Sequence, residues 1–321
     1  MKNNLFLICL LILGTLVSCQ SASSKKDIDN TSTNEVKTPV PLGDPFIMLR
    51  NGIYYAYGTH SGEGIEVYTS NDLLTWKYEG IALNKKDSWA DRWFWAPEVY
   101  AVNGKFYMYY SADEHICVAI ADSPAGPFVQ EKKEPMITDE KCIDNSLFID
   151  DDGTPYLTFV RFNDGNNIWI AELEKDLVTI KKETMRPCLH VSQKWEEVWP
   201  RVNEGSFIIK HNGLYYMSYS ANSYESPFYG VGCATATNPM GTWTKYDENP
   251  LLQKPGELVG VGHSAMFTDK AGKLRIVYHA HKDKEKIHPR AMYIGEVSFE
   301  NVNGVDRMRI CEGYITPELV K

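Results

Sequence analysis

The sequence has little positive charge and no long repeat of helical periodicity. Its 33 lysines and arginines are outnumbered by 42 aspartates and glutamates, which gives a net charge of −9 over 321 residues. Lysines occur in short pairs and form no larger basic cluster. Such a surface argues against nucleic acid or an anionic membrane surface as a partner. Apolar residues at helical spacing are missing between the strand-like segments, which argues against a helical array.

Cysteine is also scarce, and its seven copies include no CxxC pair. Cys9 and Cys19 lie close to the N-terminus, which leaves an odd number of cysteines in the rest of the chain. We therefore predict buried free thiols on strands. A single disulfide is the alternative, and the sequence does not say which cysteines it would join.

The N-terminus has the pattern of a bacterial lipoprotein signal. A basic start precedes an apolar run over residues 5–17, and the tetrapeptide Leu-Val-Ser-Cys ends at Cys19. We predict that residues 1–18 are removed and that Cys19 carries lipid. An ordinary secretory signal is the alternative, whereas the run is too short for a transmembrane helix. Residues 19–41 are then a flexible tether, and the protein faces the periplasm or the outer-membrane surface of the cell envelope.

One strand-turn-strand pattern is repeated five times. Each copy has an apolar run, a turn containing glycine, and a second run rich in tyrosine and valine. The turn glycines are Gly52, Gly104, Gly153, Gly213 and Gly272. A period of about fifty residues with this content is typical of a β-propeller, which has one sheet per repeat. We predict an all-β, five-bladed β-propeller as a single domain over residues 42–321, and a monomer.

The residues that open the repeats are mostly acidic. In a propeller the first strand of each blade lines the central channel, so residues that open the blades converge at one mouth of the channel. An alternative is that the acidic residues only cap turns. The openers are Asp44, the segment Trp95–Glu98, Asp144, Glu204 and His263.

Carboxyl groups that converge in this way suit the hydrolysis of glycosidic bonds. One acid protonates the leaving oxygen, while a base or nucleophile acts on the other face of the sugar. A third charge or an apolar surrounding separates the protonation states of the two groups. Aromatic side chains near the openers offer stacking surfaces for sugar rings. These are Trp93, Phe94, Trp95, Phe162 and Trp199.

Over about residues 41–299 the sequence resembles glycoside hydrolase family 43, a family of five-bladed inverting arabinofuranosidases, xylosidases and arabinanases. The motifs that carry the resemblance open the five blades. They are Gly43-Asp44-Pro45, Trp95-Ala96-Pro97-Glu98, Ile143-Asp144, Glu204-Gly205-Ser206 and Gly262-His263-Ser264. Asn145 and Ser206 stand where the family often has proline, and we expect both to alter the wall of the pocket.

The resemblance implies a role for each opener. It implies that Asp44 is the general base, Glu204 the general acid, and Asp144 the carboxylate that orients the acid and raises its pKa. It also implies that Arg290 reaches the terminal sugar. His263 then lies near the channel axis, where it contacts calcium or another ion through water. Sugar contacts are expected from Trp95, Arg290, His263, Phe162 and Trp199, and no cofactor is required for the reaction.

The function predicted on this basis is that of an inverting α-L-arabinofuranosidase. Its substrates are expected to be side chains of arabinan, arabinoxylan or arabinogalactan, from which it removes terminal pentosyl units. A β-D-xylosidase or an endo-arabinanase of the same fold is the alternative. A retaining enzyme such as one acting on fructans would need an Asn-Asp-Pro nucleophile motif that the sequence lacks. A non-catalytic carbohydrate-binding propeller is expected to lack one of the three carboxylates, and all three are present.

Overall fold

The computed structural model describes residues 38–198 and 201–320, and within these ranges the regular structure is almost entirely β. The predicted signal peptide, Cys19, nearly all of the tether and Trp199 lie outside the described residues. Blade one contains β1 (Thr38–Pro39), β2 (Gly43–Arg50), β3 (Ile53–Thr59), β4 (Gly64–Ser70) and β5 (Thr75–Asn84). Blade two is a three-stranded sheet of β6 (Trp95–Val102), β7 (Lys105–Ala112) and β8 (His115–Ala121).

The other three blades have four strands each. Blade three contains β9 (Cys142–Ile149), β10 (Pro155–Phe162), β11 (Asn166–Glu172) and β12 (Arg186–Leu189). Blade four contains β13 (Asn203–His211), β14 (Leu214–Ala221), β15 (Gly230–Ala236) and β16 (Thr244–Lys245). Blade five contains β17 (Gly262–Thr268), β18 (Leu274–Ala280), β19 (Ala291–Val302) and β20 (Val305–Ile315), and β21 (Glu318–Leu319) follows it. In the described ranges the helices are short 3-10 turns at Lys85–Asp87, Lys182–Thr184 and Lys194–Glu196, and none could cross a membrane.

The five sheets form the predicted five-bladed propeller. The first strands of the blades contact one another in the order β2, β6, β9, β13, β17 and back to β2, so they surround the central channel. The C-terminal strand adds to blade one, at the edge away from β2. Strand β21 pairs in parallel with β5 and antiparallel with β1, so the last strand of the chain completes the sheet of blade one.

The hairpin turns explain why the repeat is visible in the sequence. At Asn51-Gly52, Asn103-Gly104 and Asn212-Gly213 both residues have positive φ, between 47° and 80°. This is the conformation of a type I′ turn, which fits the twist of two paired strands and favours Asn-Gly.

The first strand of every blade also carries a β-bulge near its start. At this point the pairing with the second strand slips, and one residue has a φ between 45° and 58°. A bulge bends the strand and turns a side chain to a new direction. At Asp44, Asp144 and His263 it turns the side chains toward one another at the channel mouth. The five bulge residues are Asp44, Ala96, Asp144, Gly205 and His263.

The apolar core lies between neighbouring blades. One buried cluster runs through blades four, five, one and two, a second joins blades three and four, and a third joins blades two and three. The five cysteines in the described ranges are unpaired and lie on strands, as predicted. The prediction that they are buried is wrong for Cys311, which is exposed.

A buried ion pair holds the segment that leads into β13. Lys245 Nζ donates to the Glu196 carboxylate oxygens at 2.6 and 2.8 Å and to Asn203 Oδ1 at 2.8 Å. The side chain of Lys245 is 8% exposed and that of Glu196 is fully buried. Glu196 also accepts a hydrogen bond from Tyr219 Oη at 2.7 Å. Because Asn203 directly precedes Glu204, this pair fixes the backbone from which Glu204 projects.

Replacing Lys245 with methionine should lower the free energy of unfolding by about 3–5 kcal/mol, because the Glu196 carboxylate would stay buried without its cation. Urea denaturation measures this change. Lys105→Met is the matched control, since Lys105 pairs with Asp122 on the surface and an exposed pair contributes at most about 1 kcal/mol. Equal losses in the two variants would contradict a stabilising role for the buried pair.

Candidate active site

The bulges bring the predicted site residues together at one mouth of the channel. His263 Nδ1 lies 3.3 Å from Asp44 Oδ1 and 3.9 Å from Asp144 Oδ2, which joins blades one, three and five. Glu204 lies one position before its bulge, where Gly205 takes the positive φ. A Cβ on Gly205 would lie 3.0 Å from the ring of His263. Glycine at this position therefore lets blade four approach the histidine.

Polar side chains on the second strands hold the bulges in place. The bulge N–H of one blade donates to the preceding blade in four of the five junctions. Ala96 donates to Thr59 Oγ1 at 3.0 Å, Asp144 to Ser111 Oγ at 3.0 Å, His263 to Ser220 Oγ at 2.7 Å, and Asp44 to His279 Nδ1 at 3.0 Å. In the junction between blades three and four the equivalent residue is Val160, whose side chain cannot accept a hydrogen bond. There the N–H of Gly205 donates to the carboxyl of Asp144 instead.

Asp44 is buried and surrounded by donors. Arg290 donates to both of its oxygens, at 2.7 and 2.9 Å, and Thr59 Oγ1 donates to Oδ2 at 2.6 Å. Burial raises the pKa of Asp44, but the charges of Arg290, His263 and His279 outweigh burial and hold this pKa far below its usual range. Asp44 is therefore a carboxylate throughout the physiological pH range.

Glu204 is in the opposite state. Its side chain accepts hydrogen bonds from Tyr229 Oη at 2.8 Å and from Asn166 Nδ2 at 3.0 Å. Burial raises the pKa of Glu204 to about 7, and the negative charge of Asp44 adds to this effect. The hydrogen bonds from Tyr229 and Asn166 favour the charged form but do not overcome burial. Glu204 therefore keeps its proton at slightly acid pH.

Asp144 shares this surrounding with Glu204. Burial raises the pKa of Asp144 well above its usual range, and the charges of Glu204 and Asp44 raise it further. Two buried carboxyls so close together do not both ionise easily, because the loss of the first proton makes the second harder to remove. The pair consequently retains a proton near neutral pH, which is the condition that a general acid needs.

The pKa of Glu204 has a direct consequence for catalysis. If Glu204 is the general acid, it must be protonated, so kcat/KM should fall as the pH rises through about 7. Asp44 remains ionised at low pH, so its titration should not limit activity above about pH 3. A pH profile of kcat/KM on an unactivated glycoside measures both limbs. A profile that rises through pH 7 would contradict the assignment.

His263 lies between two carboxylates, and the burial of its ring lowers its pKa. Among the described residues no group of three or more histidine, cysteine or acidic side chains has the arrangement of a metal site. The resemblance implies that an ion is contacted through water, and His263 is the side chain that it assigns to this contact.

Arg290, placed at the terminal sugar by the resemblance, does lie in the site. It is buried, it pairs with Asp44, and its guanidinium lies over the ring of Tyr224 at 4.8 Å. A Cβ on Gly43 would lie 2.3 Å from Cζ of Arg290. The glycine before Asp44 thus leaves the space in which the guanidinium lies flat beside the carboxylate.

The predicted aromatic contacts differ in exposure. Trp95 is half-buried and stacks on the exposed Trp93, with ring centroids 5.9 Å apart. Phe162 is 44% exposed and ends β10 on the side of the mouth, so Trp95 and Phe162 are both accessible there. The prediction of a stacking surface is wrong for Phe94, which is buried against Tyr110.

The two departures from the family pattern do not line the pocket as expected. Asn145 is 1% exposed and donates to the backbone oxygen of Cys117 at 3.2 Å. Ser206 is 2% exposed, and its hydroxyl donates to Thr158 Oγ1 at 2.9 Å. Both side chains point into the packing between blades, so their effect on the substrate cannot come from direct contact.

Four residues of the site were missed by sequence reasoning. They are Thr59, Asn166, Tyr229 and His279. A signal existed for two of them, because Thr59 and His279 each follow the turn glycine of their blade by seven residues. The same spacing gives Ser111 and Ser220. Asn166 is the first residue of the third strand β11, Tyr229 directly precedes the third strand β15, and no sequence pattern indicated them.

A five-bladed propeller with an ionised carboxylate and a protonated carboxyl at its channel mouth has the fold and the site of a glycoside hydrolase. Comparison with known proteins gives the family. The chain belongs to the glycosyl hydrolases family 43, whose family model matches residues 37–301.

Individual relatives carry several different activities in their names. A solved structure described as endo-1,4-beta-xylanase from Bacteroides thetaiotaomicron is 48% identical, with a TM-score of 0.85 over 89% of this chain and 100% of that chain. Beta-D-galactofuranosidase xynD of Aspergillus niger is 27% identical over 84% of each chain. Arabinoxylan arabinofuranohydrolase of Paenibacillus polymyxa is 28% identical over 74% of this chain and 42% of that protein.

Proposed function

We propose that this glycoside hydrolase is an inverting exo-acting enzyme that releases terminal α-L-arabinofuranosyl units from plant polysaccharide side chains. The observation that carries the proposal is the pairing of opposite protonation states in one site. Arg290 keeps Asp44 ionised, and burial keeps the proton on Glu204. Hydrolysis of a glycosidic bond needs one carboxyl group of each kind, and the inverting course follows from the resemblance, in which Asp44 is a general base and not a nucleophile.

The reaction uses each group once. Asp44 accepts a proton from a water molecule as the water oxygen forms its bond to the anomeric carbon. At the same time the glycosidic bond breaks, and Glu204 gives its proton to the departing oxygen. The products are a free sugar of inverted configuration and a shortened glycan. After the step Asp44 releases its proton to solvent and Glu204 takes one up. Repulsion between the charges of Asp144 and Glu204 favours this uptake, so both groups return to their starting states.

Arg290 controls the strength of the base. A carboxylate with two hydrogen bonds from a guanidinium is a weak base, because its proton affinity is low. Hydroxyl groups of a terminal sugar that accept hydrogen bonds from Arg290 would draw the cation from Asp44 and raise the pKa of Asp44. The base would then become strong when the substrate is bound, as a general base requires.

Burial supports action on a terminal unit. The three carboxyl residues are each 8% exposed, so the reacting groups lie in a recess that suits the end of a chain better than its middle. The choice of an arabinofuranosyl unit is supported by relatives named for cleavage of furanosides, the galactofuranosidase and the arabinofuranohydrolase.

A β-D-xylosidase is the second candidate. It is favoured by the 48% identity to a structure described as a xylanase, since xylan and arabinoxylan share a xylose backbone. An endo-arabinanase of the same fold is the third outcome that the substrate test distinguishes.

The test is a panel of nitrophenyl α-L-arabinofuranoside, β-D-xyloside and β-D-galactofuranoside, together with branched and linear arabinan. We expect the highest kcat/KM on the arabinofuranoside, and arabinose as the only small product from arabinan. The Asp44→Asn variant, purified in parallel, controls for contaminating hydrolases, because loss of the base slows hydrolysis whatever the leaving group. A xyloside preference would establish the second candidate in place of the first, and oligosaccharides released from linear arabinan would show endo action.

We also propose that the enzyme is a monomer, attached to the bacterial cell envelope by lipid on Cys19. The signal pattern in the first nineteen residues supports this attachment. Incorporation of a labelled fatty acid by the wild-type protein, and its loss in Cys19→Ser, is the expected result. Hydrolysis itself needs the two carboxyl groups and water. An ion held through water by His263 stays a proposal that takes part in none of these steps.

A further inference from the structure

We propose that His279 is a positioning residue that holds the base and the acid of this enzyme in one arrangement. The proposal rests on the proposed function, in which Asp44 is the base and Glu204 the acid. His279 contacts the backbone of Asp44 directly and reaches Glu204 through Tyr229. It does not itself touch the reacting atoms.

The position of His279 recurs in every blade. It is the residue that follows the turn glycine by seven places and faces the bulge on the first strand. In blades one, two and four a hydroxyl group occupies this place and accepts the bulge N–H of the next blade. Blade five has the imidazole of His279 instead, and the N–H that it accepts is that of Asp44. The one junction that uses a histidine is thus the one that leads to the base.

The contacts of His279 define its tautomer. Nδ1 accepts the N–H of Asp44 at 3.0 Å, so the ring proton is on Nε2. With the proton on Nε2, the 3.4 Å contact between Nε2 and Nη1 of Arg290 brings two donors together, and Nδ1 also lies 3.3 Å from Asp44 Oδ1. The ring is fully buried, and besides Arg290 and Asp44 the titratable groups near it are His263, His281 and Tyr229. A second proton on the ring would displace the N–H of Asp44.

The flat face of the imidazole provides the link to the acid. The rings of His279 and Tyr229 stack with centroids 5.6 Å apart and planes 18° from parallel, and Tyr229 Oη donates to Glu204 at 2.8 Å. Gly262 packs against the ring of Tyr229 so closely that a Cβ on Gly262 would lie 2.2 Å from it, which leaves Tyr229 little room to move. A serine in place of His279 could accept the N–H of Asp44 but would leave Tyr229 without this face.

Two variants separate the functions of the ring. His279→Phe keeps a flat face for Tyr229 and loses the acceptor, whereas His279→Asn keeps an acceptor near the position of Nδ1. Because an error of about 1 Å in the position of a catalytic group costs about 10²-fold, we expect kcat of His279→Phe to fall about 100-fold with little change in KM. On a nitrophenyl glycoside, whose leaving group does not need the acid, His279→Asn should retain kcat within about tenfold, because the displaced Tyr229 affects only Glu204.

The pH profile distinguishes positioning from general damage. In His279→Phe the carboxylate of Asp44 is no longer fixed against Arg290, so the acid limb of kcat/KM should move to higher pH. His279→Asn should keep the wild-type limb. Tyr278→Phe is the control for disturbance of β18, because the hydroxyl of the neighbouring Tyr278 has no hydrogen-bond partner among the described residues. Wild-type kcat in His279→Phe, or equal losses of kcat on the nitrophenyl glycoside in folded His279→Phe and His279→Asn, would overturn the proposal.

A measurement without substrate tests the same contacts. The histidine ring signals in ¹⁵N spectra that disappear in His279→Asn should be those of a neutral ring protonated at Nε2, unchanged between about pH 5 and 8. A ring that titrates in this range, or one protonated at Nδ1, would contradict the assigned contacts. If instead Asp44→Asn kept full activity, the proposed function would fail, whereas inactive Asp44→Asn with unaffected His279→Phe would defeat only the positioning role.

Discussion

Replacing Asp44 with asparagine should lower kcat by about 10²–10⁴-fold, because the amide cannot take a proton from water. The same change leaves the guanidinium of Arg290 buried without its counter-ion. We therefore expect a second effect, a loss of about 3–5 kcal/mol in the free energy of unfolding. Initial rates at a temperature where circular dichroism shows the variant to be folded measure the first effect, and urea denaturation measures the second.

Asp44→Glu is the matched variant for this experiment. It keeps a carboxylate beside Arg290 but moves the carboxylate along the side chain. Stability should recover most of the loss seen with asparagine, whereas kcat should stay well below the wild-type value, because general-base catalysis depends on position. Near-normal kcat in Asp44→Asn would remove Asp44 from the mechanism. Unchanged stability would show that its pairing with Arg290 is weak in solution.

Replacing Glu204 with glutamine should have the other large effect, and its size should depend on the leaving group. A sugar alcohol is a poor leaving group that needs a proton, so kcat on an arabino-oligosaccharide should fall by about 10²–10⁴-fold. Nitrophenolate leaves without protonation, so the loss on a nitrophenyl glycoside should be much smaller. The basic limb near pH 7 should also disappear from the profile of the variant.

Steady-state kinetics of Glu204→Gln on the two kinds of substrate, side by side, provide the comparison. Glutamine has nearly the shape of glutamate, and it can still accept a hydrogen bond from Tyr229 or Asn166, so the fold should be little affected. Equal losses on both substrates would mean that Glu204 acts on something other than the leaving oxygen. A basic limb that persisted in Glu204→Gln would assign the titration at pH 7 to another group.

The fold could be predicted from the sequence because its signals are local. An Asn-Gly turn needs positive φ at two neighbouring residues, and this requirement can be seen without knowing the rest of the chain. Three such hairpins, with two further glycine turns at a similar interval, predict five similar sheets. The convergence of Asp44, Asp144 and Glu204 follows from the topology of a propeller. The spacing of the repeats did not reveal one difference between the blades. Asp44 and Asp144 are themselves bulge residues, whereas Glu204 lies one position before the bulge residue Gly205.

The electrostatics of the site could not be predicted in the same way. Arg290 and Asp44 are 246 positions apart, and they meet only because blade five closes the ring against blade one. Tyr229 and Asn166 reach Glu204 from the ends of third strands, whose side-chain directions depend on the packing of the loops before them. These long-range contacts decide which carboxyl is ionised, and no local pattern in the sequence encodes them.

The configuration of the first sugar released tests the central claim most directly. Proton NMR during the first minutes of hydrolysis of an α-L-arabinofuranoside, before the anomers equilibrate, distinguishes the two outcomes. A base that activates water opposite a protonated acid predicts that β-L-arabinofuranose is formed first. If the α anomer appeared first, one of the carboxylates would be a nucleophile, and the roles given to Asp44 and Glu204 would be wrong.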